Sequence, residues 1–174
     1  MAAAPRLGAV RLVAIDGPSG AGKTTLAVNL AADLRKQGIE TAVVPTDHFA
    51  TWTDPVAWWP RLVEGVLAPL ADNREGRYRQ MIWVDRIPKP DKWVTVPVSE
   101  VLIVEGVSAG RRSVQPRLSL LVWADCPDSV TRLARSVGRD GVDSRAELTR
   151  WQAFETGWFA VDDTRARADV RIRT

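Results

Sequence analysis

The feature that most restricts the fold of this chain is a glycine-rich loop between a strand pattern and a helix pattern. Its residues run Gly17-Pro18-Ser19-Gly20-Ala21-Gly22-Lys23-Thr24, which fits the Walker A pattern G-x-x-x-x-G-K-[ST]. Residues 10–15 before it are apolar, as in a buried strand, and residues 23–37 after it have a helical pattern. In such a unit the free N–H groups of the helix N-terminus face a bound phosphate. The alternative is an ordinary glycine-rich turn.

The loop therefore predicts a site for a nucleoside triphosphate. We expect Lys23 to reach the β- and γ-phosphates, which makes it a candidate catalytic residue, and the Thr24 hydroxyl to bind Mg²⁺. The residues predicted to bind ATP are Gly17, Pro18, Ser19, Gly20, Ala21, Gly22, Lys23, Thr24 and Thr25.

Length and composition predict one globular domain. A chain of 174 residues can bury one core but is short for two domains. No apolar run is long enough to span a membrane, and residues 1–6 lack the apolar core of a secretory signal. We therefore expect a cytoplasmic location and no membrane partner. Cys126 is the only cysteine, which excludes an internal disulfide, and it is predicted to be a small buried residue.

The charge of the chain is carried mainly by arginine. The net charge is +3, with Lys+Arg 24 and Asp+Glu 21. This excess fits either codon bias or a basic nucleic-acid surface. No basic block with interleaved aromatic residues is present, so nucleic acid is not an expected partner. His48 is the only histidine, which argues against a His-based metal site or catalytic triad.

Strand and helix patterns alternate along most of the chain. This order predicts an α/β fold with a doubly wound, mainly parallel five-stranded sheet and helices on both faces. Residues 72–97 interrupt it and are interpreted as an acceptor-side insertion, in which residues 81–84 and 93–96 pair around Pro88-Lys89-Pro90. The predicted strands are 10–15, 39–44, 101–105, 118–124 and 170–172, and the predicted helices are 23–37, 55–71, 128–137 and 145–161.

Two carboxylates follow predicted strands at the edge where open α/β sheets bind ligands. Asp47 follows the second strand and could accept a proton from an acceptor hydroxyl or hold the metal through water. Its alternative role is that of a turn or helix-capping residue. Glu105 ends the third strand, which has a Walker B-like pattern, and could face Mg²⁺ through water. A structural residue at the strand end is the alternative.

Arginines and tryptophans complete the candidate site. Arg132, Arg135 and Arg139 have the spacing of one helix face, and residues 132–145 are interpreted as a lid that stabilises the transferred phosphoryl group. A solvated basic face is the alternative. Core packing is expected for most tryptophans, Trp58, Trp59, Trp151 and Trp158 among them. A loop tryptophan could stack on an acceptor base; the candidates are Trp52, Trp83 and Trp93.

Taken together, these segments resemble the uridine kinase-like group of P-loop kinases, which includes uridine/cytidine kinase, phosphoribulokinase and pantothenate kinase. The segment 14–25 is similar to the nucleoside-kinase form of the loop, and Thr46-Asp47-His48-Phe49 is similar to the Asp-x-Phe-Tyr segment, with Ala50 in place of the tyrosine. Further similarities are Val104-Glu105-Gly106, the arginine-bearing segment 135–140 and Ala168-Asp169-Val170.

The resemblance implies an Mg-ATP-dependent kinase whose acceptor is the hydroxyl of a small molecule, with a nucleoside favoured. It makes Asp47 the catalytic base, Arg135 and Arg139 lid residues, and Tyr78, Arg79 and Trp83 candidate substrate contacts. Other acceptors remain open, namely a nucleoside monophosphate, a sugar or a vitamin precursor. So does a nucleotide-binding regulatory ATPase, although the guanine-reading Asn-Lys-x-Asp motif is absent. A binding module without catalysis is disfavoured by Lys23, Thr24 and Glu105.

Overall fold

The fold is built on one parallel sheet and a separate hairpin. A computed structural model describes residues 3–85 and 87–174, and seven strands lie within these ranges. They are β1 Arg11–Asp16, β2 Thr41–Pro45, β3 Gly76–Val84, β4 Ile87–Val96, β5 Val101–Glu105, β6 Leu118–Asp125 and β7 Val170–Arg173.

Helices connect these strands at the places where the sequence alternates. The α-helices in the described ranges are α1 Lys23–Lys36, α2 Trp59–Leu62, α3 Ala68–Ala71, α4 Ser129–Asp140, α5 Arg145–Asp162 and α6 Thr164–Arg167. A π-helical stretch, Val63–Leu67, joins α2 to α3. Short 3₁₀-helices occupy Thr46–His48, Arg112–Arg117 and Val142–Ser144.

The main sheet has the strand order β2-β5-β1-β6-β7, and all four neighbouring pairs are parallel. The register aligns Ile15 of β1 and Pro45 of β2 with the same residue of β5, Glu105. The carboxyl ends of these three strands therefore meet at one edge of the sheet, which is where parallel sheets place their ligands.

The strands are buried because helices cover both faces. In β1, Leu12 and Ala14 belong to one apolar cluster and Val13 and Ile15 to the other, as the two-residue period of a strand requires. One cluster includes buried residues of the α2–α3 region and the hairpin. The other includes Ala27, Ala31 and Leu34 of α1. The predicted doubly wound parallel sheet with helices on both faces is confirmed.

The hairpin forms, but its predicted pairing is wrong. Met81 pairs with Pro90 and Val84 with Ile87, whereas Trp93 pairs with Arg79. The segment Pro88-Lys89-Pro90 thus lies inside β4 and not in the turn. Proline is tolerated there because each strand of a two-stranded sheet has a free edge. Before the reversal, Asp85 adopts a left-handed φ of 50°, which aspartate accepts more readily than most residues.

Outside the hairpin, three element boundaries differ from the prediction by two or more residues. The second helix begins at Trp59 and not at 55, since residues 55–58 form bends and turns. Strand β2 begins at Thr41 and not at 39, and α4 continues to Asp140 beyond the predicted end at 137. Across residues 3–85 and 87–174, no helix has the length and apolar character needed to cross a bilayer.

Candidate active site

A cleft of about 1090 Å³ opens at the carboxyl edge of the sheet. The phosphate loop lies on one side of it, and the turn after β2, the tip of the hairpin and helices α4 and α5 complete its walls. Residues from the predicted site that line the cleft are Ser19, Gly20, Gly22, Lys23, Thr24, Thr25, Asp47, Trp83, Glu105, Arg135 and Arg139. The structure thus brings most of the predicted site residues together, although their roles remain predictions.

The N-terminus of α1 is built to receive an anion. Gly22 precedes the helix in the left-handed region, with φ 73°, and no side chain within residues 3–85 and 87–174 caps the first turn. The first N–H groups of an uncapped helix are unsatisfied, and they attract negative charge together with the helix dipole. Lys23, which is mostly buried, donates from Nζ to the carbonyl of Pro18 at 2.9 Å. Its ammonium group therefore stays beside the loop that would surround the phosphates.

Thr24 and Glu105 form the candidate magnesium site. The Thr24 hydroxyl donates to Oε1 of Glu105 at 3.0 Å. Burial raises the pKa of Glu105, opposed by the positive charge of Lys23 and reinforced by the negative charge of Asp47. These hard oxygen donors suit Mg²⁺, which is commonly held by one or two protein oxygens together with phosphate oxygens and water. Among the described residues, no group of three or more His, Cys, Asp or Glu side chains is placed to hold a metal ion.

Asp47 is held at the cleft by a 3₁₀ turn. Thr46–His48 follows β2 directly, and no side chain of the described residues caps this turn. The turn can approach the end of β5 because Gly106, with φ 132°, has no side chain. A Cβ at Gly106 would collide with the Thr46 hydroxyl. Asp47 is exposed and lines the cleft beside Glu105.

Helix α4 places its arginines unequally. Arg135 donates to the carbonyl of Gly20 at 3.3 Å, and Arg139 pairs with Asp140 at 2.6 and 2.7 Å. Both line the cleft. Arg132 instead donates to the carbonyl of Cys126. Its backbone packs so closely on Gly20 that a Cβ there would collide with it. The three-arginine stripe therefore reduces to two arginines that face the cleft.

Tyr78 and Arg79 lie away from the cleft. The Tyr78 hydroxyl, buried in the core, is 2.7 Å from Nδ1 of His48. Arg79 donates to the carbonyl of Asp91 across the exposed hairpin. The lining of the cleft therefore gives no support to the predicted contact of these two residues with a substrate. His48 itself lines the cleft, and burial lowers its pKa against the opposing effect of Asp47, which favours the neutral imidazole.

An aromatic wall borders the outer part of the cleft and consists of Trp52, Trp83 and Trp151. The ring centroids of Trp52 and Trp83 are 4.7 Å apart, and those of Trp52 and Trp151 are 5.8 Å apart. Trp58 and Trp59 are core residues, as predicted. Trp93 is not part of this wall. The guanidinium carbon of Arg77 lies over the Trp93 ring, 4.7 Å from the ring centroid.

Two buried polar side chains at the site were not predicted from the sequence. Glu155 of α5 accepts hydrogen bonds from the backbone N–H and the hydroxyl of Ser19. Burial raises the pKa of Glu155, whereas Lys23 and the Ser19 hydrogen bonds lower it. Ser136 of α4 lines the cleft, and its hydroxyl has no hydrogen-bond partner among the described residues. The helical spacing of Glu155 from Trp151 and Trp158 was an available signal, because it puts a charge on an apolar face.

A third buried carboxylate, that of Asp16, contacts the start of the phosphate loop. It accepts from the N–H groups of Gly17 at 2.7 Å, Ser108 at 3.1 Å and Gly110 at 2.8 Å. It therefore fastens the start of the phosphate loop to the segment after β5. Burial raises its pKa from 3.8 to about 7, although these N–H donors and Lys23 oppose the change.

Asp16 should make the stability of the protein fall as the pH rises. Because its pKa is 3.8 ordinarily and about 7 in the fold, the folded protein holds a proton between these values that the unfolded chain has lost. The contribution of Asp16 to the free energy of unfolding is complete below pH 3.8 and is lost as the pH rises through about 7. It amounts to at most about 4 kcal/mol. Urea unfolding across this pH range should show this slope flattened in Asp16→Asn. The exposed control Asp33→Asn should keep it, and equal slopes in all three proteins would contradict the assignment.

The fold and the site define a class of protein. A phosphate loop between β1 and α1, with a carboxylate at the end of a neighbouring parallel strand, is the arrangement of a P-loop NTPase. Residues 12–139 match the family described as the CobQ/CobB/MinD/ParA nucleotide binding domain. The chain belongs to this family. No curated protein shows a significant match to it.

Solved kinase structures share the fold. A protein described as a possible uridine kinase from Bacillus stearothermophilus superposes with a TM-score of 0.66 at 21% identity, over 94% of this chain and 88% of that one. One described as a candidate fructose transport system kinase from Silicibacter sp. TM1040 gives 0.62 at 21% identity, over 94% and 89% of the two chains. At such identity the likeness shows the fold alone.

Proposed function

We propose that this protein is an Mg-ATP-dependent kinase that transfers the γ-phosphoryl group to a hydroxyl of a small molecule. A nucleoside such as uridine or cytidine is the favoured acceptor. The resemblance in the segments around Lys23, Asp47 and Glu105 supports this acceptor class, and so does the aromatic wall, since tryptophan faces stack on nucleobases. The single cysteine fits the reducing cytoplasm as the location.

The observation that carries the proposal is that one cleft holds both the phosphate loop and an unshielded carboxylate. At about 1090 Å³ the cleft exceeds the usual volume for one small ligand, roughly 300–1000 Å³. Asp47 lines the same cleft as the phosphate loop and the aromatic wall. A second substrate placed against that wall would bring its hydroxyl to Asp47 and toward the phosphates.

The residues then have separable roles in the transfer. The loop backbone and Lys23 hold the donor phosphates, and Thr24 and Glu105 would hold Mg²⁺, which neutralises phosphate charge when bound. Asp47 accepts the proton as the acceptor oxygen forms its bond to the γ-phosphorus. The bond from that phosphorus to the β-phosphate oxygen breaks, and ADP leaves. Arg135 and Arg139 stabilise the charge on the transferred group.

A regulatory ATPase is the second candidate, because the family match concerns nucleotide binding and specifies no acceptor. The test is a panel of nucleosides, nucleoside monophosphates, sugars and vitamin precursors with Mg-ATP, with ADP release and the phosphorylated product both measured. We expect ADP release to depend on a nucleoside and to match product formation. ADP release that no acceptor stimulates would favour the regulatory ATPase.

Arg139 should matter more for turnover than for binding. We expect Arg139→Ala to lower kcat by about tenfold or more while ATP affinity changes by less than about threefold, because the charge is needed when the phosphoryl group moves. Arg150→Ala is the matched control, since Arg150 is exposed and pairs with Glu147 away from the cleft. Full kinetics of both variants test this role of Arg139. If Arg139→Ala behaves like wild type, Arg139 belongs only to a solvated basic helix face.

A further inference from the structure

A buried carboxylate on α5 contacts the phosphate loop at Ser19. Glu155 is 1% exposed and does not line the cleft. The backbone N–H of Ser19 donates to its two oxygens at 3.0 and 3.2 Å, and the Ser19 hydroxyl donates to Oε1. Ser19 does line the cleft, so this carboxylate holds a cleft-lining segment of the phosphate loop.

The loop needs such an external contact because its own backbone is permissive. Gly17, Gly20 and Gly22 all have positive φ values, of 145°, 77° and 73°, and glycine visits many other conformations at little cost. A loop that must order itself around each incoming phosphate loses affinity, whereas a loop already in the bound shape does not. Glu155 fixes the one residue between Gly17 and Gly20 that carries a hydrogen-bonding side chain.

The charge of Glu155 is tolerated for reasons visible in its surroundings. A buried carboxylate is costly unless it is hydrogen-bonded or paired, and this one has two Ser19 donors and the nearby positive charge of Lys23. A surface glutamate would carry no such cost. The burial is therefore compensated by contacts made to the phosphate loop, together with a hydrogen bond to Trp151 of the same helix.

We propose that Glu155 is a positioning residue that holds the phosphate loop in its nucleotide-binding shape through Ser19. The same helix carries Trp151, one turn earlier, into the aromatic wall on the acceptor side. The inference rests on the nucleotide site of the proposed function, but it does not depend on the identity of the acceptor.

The experiment measures Mg-ATP binding by calorimetry without any acceptor. We expect Glu155→Ala to weaken affinity by roughly tenfold, the scale on which lost preorganisation acts. Glu155→Gln should stay within about threefold of wild type, since its amide can accept from the Ser19 N–H and donate to the hydroxyl, although without charge assistance. Glu147→Ala is the matched control, because Glu147 lies on the same helix and pairs with Arg150; its affinity should be unchanged.

A double-mutant cycle tests whether the effect passes through Ser19. The loss from Glu155→Ala should be smaller in a Ser19→Ala background than in wild type, as is expected for residues in contact. Additive losses would overturn the proposal, and so would unchanged or tighter ATP binding by Glu155→Ala. If Glu155→Ala does not fold, Ser19→Ala decides: we expect it to bind Mg-ATP more weakly than Glu155→Gln does, and near-wild-type affinity of Ser19→Ala would overturn the proposal.

The two proposals fail in different ways. If the wild type binds Mg-ATP but phosphorylates no acceptor, the kinase assignment fails and the role of Glu155 stands. If it phosphorylates a nucleoside while Glu155→Ala binds ATP normally, the kinase stands and the role of Glu155 fails.

Discussion

Replacing Lys23 with alanine is expected to lower the turnover number by about 10²-fold or more, with the fold intact. The ammonium group lies at the start of α1 beside the phosphate loop, where it would contact the phosphates most strongly as charge develops in the transition state. Its Nζ makes one described hydrogen bond, to the Pro18 carbonyl, and its charge offsets the burial of Asp16, Glu105 and Glu155. We therefore expect the melting temperature to fall without loss of the fold. Steady-state kinetics and a melting curve test both parts of this expectation.

Lys36→Ala is the matched control for this change. Lys36 is on the same helix but exposed, and it pairs with Asp33 at 3.1 Å. Such a surface pair contributes little to stability, so we expect both turnover and melting temperature to remain near wild type. A Lys23→Ala protein with an unchanged turnover number would overturn the assignment of the phosphate loop.

The sheet could be predicted from the sequence because its signals are local. The run before the phosphate loop is apolar enough for a doubly buried strand, and the loop itself specifies that a helix follows. The hairpin pairing could not be predicted in the same way. Register in a two-stranded sheet depends on the turn and on which edge is free. The prolines at 88 and 90 mark a turn by composition, although β4 accommodates them.

The candidate site was predictable as far as it follows strand ends. Asp47 and Glu105 each come directly after or at the end of a strand, and parallel strands bring such positions to one edge. The strand order β2-β5-β1 then places the end of β5 between the Asp47 turn and the phosphate loop. That order is not written in any local pattern, since it depends on how nonlocal strands pair.

The contacts from α4 and α5 were harder to predict because they depend on how a helix is rotated against the loop. Arg132 and Arg139 share a helix face in the sequence, yet only Arg139 reaches the cleft, because α4 packs its backbone at Arg132 against Gly20. Glu155 and Ser19 are 136 positions apart. A glutamate in a helix is usually exposed, so the residue type alone predicts a solvent-exposed position for Glu155, which is buried.

The role of Asp47 is best tested by a change that keeps its shape. Asp47→Asn preserves most hydrogen bonding but cannot accept a proton at neutral pH. We expect ATP affinity to change by less than about tenfold while phosphoryl transfer falls by about 10²-fold or more, the scale of general-base loss. The 3₁₀ turn supports this expectation, because its N-cap position is Pro45 and no side-chain capping hydrogen bond is described for it that the substitution could weaken.

Asp54 supplies the contrast that makes the Asp47 result decisive. Its carboxylate accepts from the N–H of Ala57 at 2.8 Å and lies 3.5 Å from Arg61, so Asp54→Ala should reduce stability by about 1 kcal/mol with turnover near normal. If Asp47→Asn shows that same pattern, Asp47 is structural and the base lies elsewhere. If turnover falls while ATP affinity and melting temperature stay near wild type, the proton passes to Asp47, because effects of the substitution on nucleotide binding and on folding are then excluded.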